Sequence, residues 1–247
     1  SDMTQALRER IDAGEHFAAD VTHELKNPIA SVRSAIEGLG RVTTEEQRAQ
    51  LLAIADEDVR RLDRLVNDIS EASRVDAQLS RTLFEPIDVG IMIESMLAGR
   101  AARVDAGTPY PRIAFARPRK GTTVVMGDGH RLERAIDNVI DNAISFSPDT
   151  GLVCISATRL GDEVHVKVDD DGPGIEPAQR DAIFRRFHSE RPTGEAFGRH
   201  SGLGLAIART IVEGHSGTIN AKDRDDGKPG ASLLITLPAR EGATEAG

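Results

Sequence analysis

The amino-acid sequence predicts an α+β protein in two parts, a helical hairpin over residues 1–80 and an α/β layer domain with a mixed sheet over residues 81–247. Three observations lead there. Two early segments carry apolar residues at alternating spacings of four and three, the register of helices that pack along their length. From Phe84 onward that period gives way to short β-like runs bounded by Gly, Pro, Asp and Asn. Helical stretches then interleave with these runs, which reads as a sheet covered by helices on one face.

The first helix spans residues 5–40. Its seam is Leu7, Ile11, Gly14, Ala18, Val21, Leu25, Pro28, Val32, Ala35 and Leu39. Pro28 predicts a kink near its preceding turn, and Gly38 and Gly40 predict the end. Thr43 to Glu46 reads as a capping box that starts the second helix, with Thr43 as N-cap. The second seam is Leu52, Ala55, Val59, Leu62, Val66 and Ile69. Two helices alone enclose no core, so the hairpin predicts a homodimer closed as a four-helix bundle. Residues 76–84 are the expected hinge. Beyond them, strands are expected at Arg112–Ala116, Thr122–Met126, Leu152–Ala157, Val164–Val168, Gly217–Ala221 and Ser232–Leu237. Helices are expected at 88–103, 128–145 and 202–214, with Asp88 and Asp128 as N-caps.

Composition narrows the function. The 31 Lys and Arg against 40 Asp and Glu give a net charge of −9, and aromatic residues are only 3%. A chain that coats nucleic acid should be basic, and one that stacks unpaired bases needs aromatic platforms, so no direct nucleic-acid partner is expected. The single cysteine, Cys154, excludes an internal disulfide and a cysteine-based zinc site. No apolar run is long enough to span a membrane. Ser1-Asp2-Met3 reads as a cloning remnant, so the chain is expected to be a fragment.

Chemistry concentrates in a few segments. With Val21 and Leu25 in the seam, His23 falls at the outermost helix position. Asn27 follows one turn later, and Glu24 is adjacent. An exposed imidazole is a nucleophile near neutral pH, and a neighbouring carboxylate can take its proton. Taken alone, this is more often an ordinary surface histidine. On the helix over 128–145, Asn138 and Asn142 share a face. Two carboxamide oxygens there suit a hard cation such as Mg2+, although for the pair taken alone a polar stripe of a surface helix is the more common explanation. Asp170 and Asp171 end a strand before Gly172-Pro173-Gly174. A buried carboxylate can accept from adenine's amino group where guanine offers only an acceptor, and glycines let the backbone approach the ring; a plain turn is the simpler alternative. Gly202 and Gly204 open a helix whose N-terminal N–H groups can hold phosphates. Between the glycine segments, Phe184, Arg185, Arg186, Phe187, Arg191 and Arg199 suggest a basic lid over a polyphosphate. Neither a Walker loop nor a dinucleotide fingerprint is present.

In their order, these segments closely resemble the core of a bacterial two-component sensor histidine kinase. His23-Glu-Leu-Lys-Asn-Pro28 resembles the H box, Asn138 to Pro148 the N box and Asp170 to Gly174 the first glycine box. Ile183 to Phe187 resembles the F box and Gly202 to Leu205 the second glycine box. Arg186 to Pro192 and Asp141 to Pro148 further resemble the periplasm-sensing ChvG type of that family. The resemblance implies a dimerisation hairpin followed by an ATP-binding α/β sandwich of the Bergerat (GHKL) type. It implies His23 as phosphoacceptor, Glu24 as its base or orienting partner, and Asn27 as the residue positioning water for dephosphorylation of the partner. Asn138 and Asn142 would bind Mg2+, Asp170 the adenine amine, and Gly172 and Gly174 the base. Phe146 would lie over the base, and Ser201, Gly202, Leu203 and Gly204 would face the phosphates of ATP.

Two positions depart from the pattern. Ser145 and Ser189 stand where the family often has Lys and Arg, so Arg186 or Arg191 is expected to take over a phosphate contact. The partners implied are a second copy, the receiver domain of a response regulator, and a membrane reached through an N-terminal sensor region, with the core in the cytoplasm beneath an inner membrane. Two other classes share parts of the pattern: a Bergerat-type ATPase that activates water, and a non-catalytic scaffold with a degenerate nucleotide site.

Overall fold

The structure is a computed structural model and describes residues 2–78, 84–101, 110–186 and 202–240; side chains are described from residue 18 onward in the first helix and up to residue 70 in the second, residues 20, 64 and 68 excepted. The chain folds as two compact units, one built on a helical hairpin and one on a sheet.

In the hairpin unit, α1 (Asp2–Leu39) and α2 (Glu45–Gln78) are joined by a short turn. The turn closes through bonds from the N–H groups of Arg41 and Val42 to the carbonyl of Gly38. A side chain at Gly38 would press within 3.0 Å of Leu51 Cδ1, so glycine permits the close approach. α2 is capped one residue later than expected. The Gln47 N–H donates to Thr44 Oγ1 at 3.3 Å, and the helix begins at Glu45. Thr44 to Gln47 is itself an S/T-x-x-E/Q sequence, so two overlapping capping boxes compete and the downstream one wins. Pro28 lies inside a continuous α1. Its missing N–H leaves the Glu24 carbonyl without an i+4 donor.

The seam of α1 holds where side chains are described: Pro28 and Ala35 are buried, and Val21, Leu25, Val32 and Leu39 are half-buried, while Ala18 is exposed. Leu7, Ile11 and Gly14 fall outside the described side chains. The seam of α2 is displaced. Leu51, Ala55, Leu62, Leu65 and Ile69 carry the burial, with Leu65 fully enclosed, whereas Leu52, Val59 and Val66 are about half exposed.

The sheet unit orders its five strands β2 (Arg112–Ala116), β4 (Leu152–Leu160), β5 (Glu163–Asp169), β7 (Ala231–Pro238) and β6 (Thr218–Asp223). The β2–β4 pair is parallel and the other pairs are antiparallel, giving the expected mixed sheet. Alternation sets the core: Val153, Ile155 and Ala157 of β4, Val164, Val166 and Val168 of β5, and Leu233, Ile235 and Leu237 of β7 are buried on one face. Helices α3 (Val89–Ala101), α4 (Gly129–Phe146) and α5 (Gly204–Gly214) supply the facing apolar stripes, including Ile93, Leu132, Ile136, Ile140 and Ile211. Asp88 caps α3 by accepting from Gly90 and Ile91, and Asp128 caps α4 by accepting from Arg131. A further two-stranded sheet joins β1 (Glu85–Asp88) to β3 (Val124–Gly127). The β1 strand was not expected from the sequence. The expected hinge falls largely outside the described residues, at 79–83.

Candidate functional site

On α1, His23 and Asn27 are both exposed, and among the described residues neither side chain makes a hydrogen bond. Glu24 is turned to other use. Its Oε2 accepts from Arg61 Nη2 of α2 at 3.2 Å, and the Arg61 side chain is only 12% exposed. Sequence reasoning missed Arg61. The signal available was a cation at the edge of the inner seam, between Asp58 and Leu62, where a buried charge needs a partner.

In the sheet unit, α4 carries Asn138 and Asn142 one turn apart, both half-buried. Asn138 Nδ2 donates to the Gly204 carbonyl at 3.0 Å, which brings the N-box helix against the first residue of α5. That bond occupies the amide nitrogen and leaves the Asn138 oxygen for a ligand. Together with the Asn142 carboxamide it suits a hard cation that keeps several waters. The carboxylates flanking these asparagines, Asp137 and Asp141, are both held by Arg100 of α3, with Nη2 at 2.5 and 2.6 Å. The rotation of α4 is thereby fixed. Ser145 donates to the Asn142 carbonyl at 2.9 Å.

Asp170 follows the last residue of β5 and is 2% exposed. Its Oδ1 accepts the N–H groups of Gly172 at 2.8 Å and Ala231 at 3.0 Å. Among the described residues, Oδ2 makes no hydrogen bond, so one carboxylate oxygen is left for a ligand N–H. Burial pushes the Asp170 carboxyl above its ordinary value, and the two N–H bonds and Arg224 act against that rise.

Glycines line the same turn. A Cβ on Gly172 would stand 2.8 Å from Asp170 Oδ1 and 2.9 Å from the Phe146 carbonyl. Gly174 adopts φ +84 and Gly230 φ +126, and a Cβ on Gly230 would overlap the Asp170 carbonyl oxygen at 1.8 Å. Phe146, half-buried at the end of α4, therefore abuts the first glycine box. These observations fit a purine: a tight backbone cradle and an acceptor oxygen. Gly202 adopts φ +68, Leu203 is buried and α5 opens at Gly204, and a helix N-terminus is the kind of site that can hold a phosphate. Phe184 of the F box is buried, with the Arg209 guanidinium 5.6 Å above its ring. Arg186 is exposed. Phe187, Ser189, Arg191, Arg199 and Ser201 lie outside the described residues.

His215 was also missed. It is buried after α5 and accepts the Asp128 N–H at Nε2, 3.0 Å away, so Nδ1 carries the proton and donates to the Ile211 carbonyl at 2.7 Å. Phe84 stacks on its ring at 4.8 Å. The imidazole thus ties α5 to the start of the N-box helix.

Comparisons with known proteins agree with this geometry. The His Kinase A (phospho-acceptor) domain matches residues 15–78, and the histidine kinase-, DNA gyrase B- and HSP90-like ATPase family matches residues 127–241. The chain is 43% identical to the sensor protein ChvG of Agrobacterium fabrum over 97% of its own length, and covers 41% of that protein. It is 32% identical to the signal transduction histidine-protein kinase/phosphatase MprB of Mycobacterium leprae over 96% of its length, covering 46% of that protein. The chain thus spans less than half the length of these curated relatives. A solved mycobacterial sensor histidine kinase, MprB, superposes with a TM-score of 0.51 at 30% identity, covering 64% of this chain and 99% of that one. A hairpin bearing an H-box histidine, joined in one chain to an ATPase-type sheet with its asparagine helix and glycine turn, belongs to the sensor histidine kinase family, of the ChvG type.

Proposed function

We propose that this chain is a kinase core that phosphorylates its own His23 from ATP and passes the phosphoryl group to an Asp on the receiver domain of a response regulator. The observation that carries this reading is the pairing, in one chain, of an exposed H-box histidine with a buried carboxylate that keeps one oxygen for a purine amine. Asp170 and the glycines at 172 and 174 bind the base, with Phe146 beside it. The segment Ser201 to Gly204 faces the phosphates, and Arg186 and Arg191 supply cationic contacts from the lid. A bound Mg2+ would neutralise charge at the phosphates, held by the carboxamide oxygens of Asn138 and Asn142.

A ring nitrogen of His23 attacks the γ-phosphorus in line. An N–P bond forms, the bond to the ADP oxygen breaks, and the imidazole proton passes to Glu24 once that carboxylate leaves Arg61. Positioning and charge neutralisation carry the catalysis. Asn27 orients a water that hydrolyses the aspartyl phosphate of the receiver and releases inorganic phosphate, a reading supported by the kinase/phosphatase name of the MprB relative. We read this core as the cytoplasmic part of an inner-membrane sensor, in keeping with the sensor-protein name of its relatives, and as a homodimer, which the match of residues 15–78 to the phospho-acceptor domain supports.

His23→Gln should abolish acid-labile, base-stable labelling from γ-labelled ATP while nucleotide binding persists. Labelling that survives in this variant would overturn the assignment.

A further inference from the structure

The β6–β7 turn contains a buried arginine that the reaction as derived above does not use. Arg224 follows β6, and its side chain is 4% exposed. Its guanidinium serves four acceptor atoms on three residues at once. Nη1 donates to the Asp170 carbonyl at 2.9 Å and to Asp171 Oδ1. Nε and Nη2 grip both oxygens of Asp226 at 3.0 and 2.7 Å. Asp171 is held further: its Oδ2 accepts the Leu152 N–H at 2.8 Å, and its own N–H donates to Ser147 Oγ at 3.3 Å. The same β6–β7 turn presses Gly230 against the Asp170 carbonyl and supplies the Ala231 N–H that holds Asp170 Oδ1.

We propose that Arg224 is the positioning residue for base selection: by fixing Asp170 and Asp171 from the β6–β7 turn, it aims Asp170 Oδ2 at the exocyclic amine of the nucleotide. The proposal rests on the reading of Asp170 as the adenine acceptor and extends it to a residue more than fifty positions away in sequence. The physical need is specific. Three consecutive carboxylates, Asp169 at the end of β5 and Asp170 and Asp171 just beyond it, repel one another. Lys167 pairs with Asp169 at 3.3 Å, and Arg224 answers Asp171. Only a planar fork can reach a main-chain oxygen, one carboxylate and a second, bidentate carboxylate together; an ammonium is a point charge. With the Asp170 backbone bonded through its N–H to Ala231, through its carbonyl to Arg224 and through Oδ1 to two amides, little freedom remains for Oδ2. A base amine therefore meets an acceptor already in place, which saves ordering cost on binding.

The test is the initial rate of phosphohistidine formation by the purified chain against ATP and, separately, GTP. The proteins are wild type, Arg224→Gln, Arg224→Lys, Asp226→Asn and Asp170→Asn. Arg224→Gln should raise KM for ATP by roughly tenfold, the effect of losing about one charge-assisted hydrogen bond of positioning. The saturated rate should stay within about twofold, and KM for GTP should hardly move, because guanine lacks the amine that Asp170 reads. Arg224→Lys should fall between wild type and Gln. Asp226→Asn loosens Arg224 from its exposed side. It should shift the ATP-over-GTP ratio in the same direction by less, and it serves as the measurement if Arg224→Gln fails to fold.

An equal loss for both nucleotides would mean that Arg224 only braces the turn, and would overturn the proposal. So would unchanged KM values in both the Arg224 and Asp226 variants, or a reduced saturated rate with unchanged KM. Asp170→Asn separates the two levels. If it collapses the ATP preference while the Arg224 variants keep it, positioning by Arg224 fails and the adenine reading stands. If it leaves the preference intact, the adenine reading falls with it.

Discussion

At the scale of single residues, the two oxygens of Asp170 differ: one is spent on the protein's own backbone, and the other, with no hydrogen bond among the described residues, is the one proposed to meet the base. The division explains why Asp170 is buried at a cost to its charge, and why glycines crowd around it. His215 presents the opposite case, a buried titratable group that must stay neutral. Burial lowers its pKa from the ordinary value of 6.5, with the Asp128 carboxyl, the Arg131 guanidinium and the Phe84 ring facing it. Above about pH 6.5 neither the folded nor the unfolded form is charged, and the imidazole contributes fully to stability. As pH falls below that value the unfolded chain takes a proton that the fold refuses, so stability is lost until the pH has passed the folded pKa. Thermal unfolding measured from pH 7.5 to pH 5 should therefore fall more steeply in wild type than in His215→Gln. The variant should also start lower by about 1–3 kcal/mol, from the unsatisfied Asp128 N–H and Ile211 carbonyl. The residues that sequence reasoning overlooked, Arg61, His215 and Arg224, share a cause. Each acts on a partner remote in sequence, and Arg224 sits in Asp223-Arg-Asp-Asp-Gly227, which reads locally as a solvated turn.

At the scale of elements, period and caps made most of the structure legible. The strand over 112–116 appears with its expected limits, and the others differ by a few residues at their ends. The β1 strand escaped because Glu85-Pro-Ile-Asp88 is short, acidic and half exposed; it is a strand only because β3 lies beside it. The α2 seam was misplaced by one position at Leu52 and Val59 because adjacent leucines, Leu51 and Leu52, offer two registers, and only the partner helix chooses between them. The rejected register has its own meaning. Leu52, Val59 and Val66 recur every seven residues along α2, as Ile29 and Ile36 do along α1, and all five are exposed by 46–60%. A heptad-spaced apolar stripe facing water is the surface expected of a bundle completed by a second copy. Val59→Glu should convert the dimer to monomer, read by light scattering behind size-exclusion chromatography, with helical circular dichroism largely kept. A dimer that persists in this variant would place the interface elsewhere.

At the scale of the whole molecule, the acidic total conceals opposite local needs. Acid predominates in residues 1–80, while the sequence from 185 to 199 holds Arg185, Arg186, Arg191 and Arg199, so net charge is a poor guide to the anion site proposed for this chain. The two units have separate cores, and the proposed nucleotide site draws mainly on the sheet unit. Calorimetry should record an ATP- and magnesium-dependent rise for the transition of the sheet unit, by about 2.7 kcal/mol at a hundredfold excess over Kd, with little change in the hairpin transition. A joint shift of both would show that ligand binding grips the hairpin as well. The helix that carries His23 adds a mechanical consequence. Pro28 removes one rung from a 38-residue rod, directly beyond the histidine. A rod lacking a rung yields there first, so a twist applied at either end would concentrate within a turn of His23, the proposed phosphoacceptor, instead of spreading along the whole length.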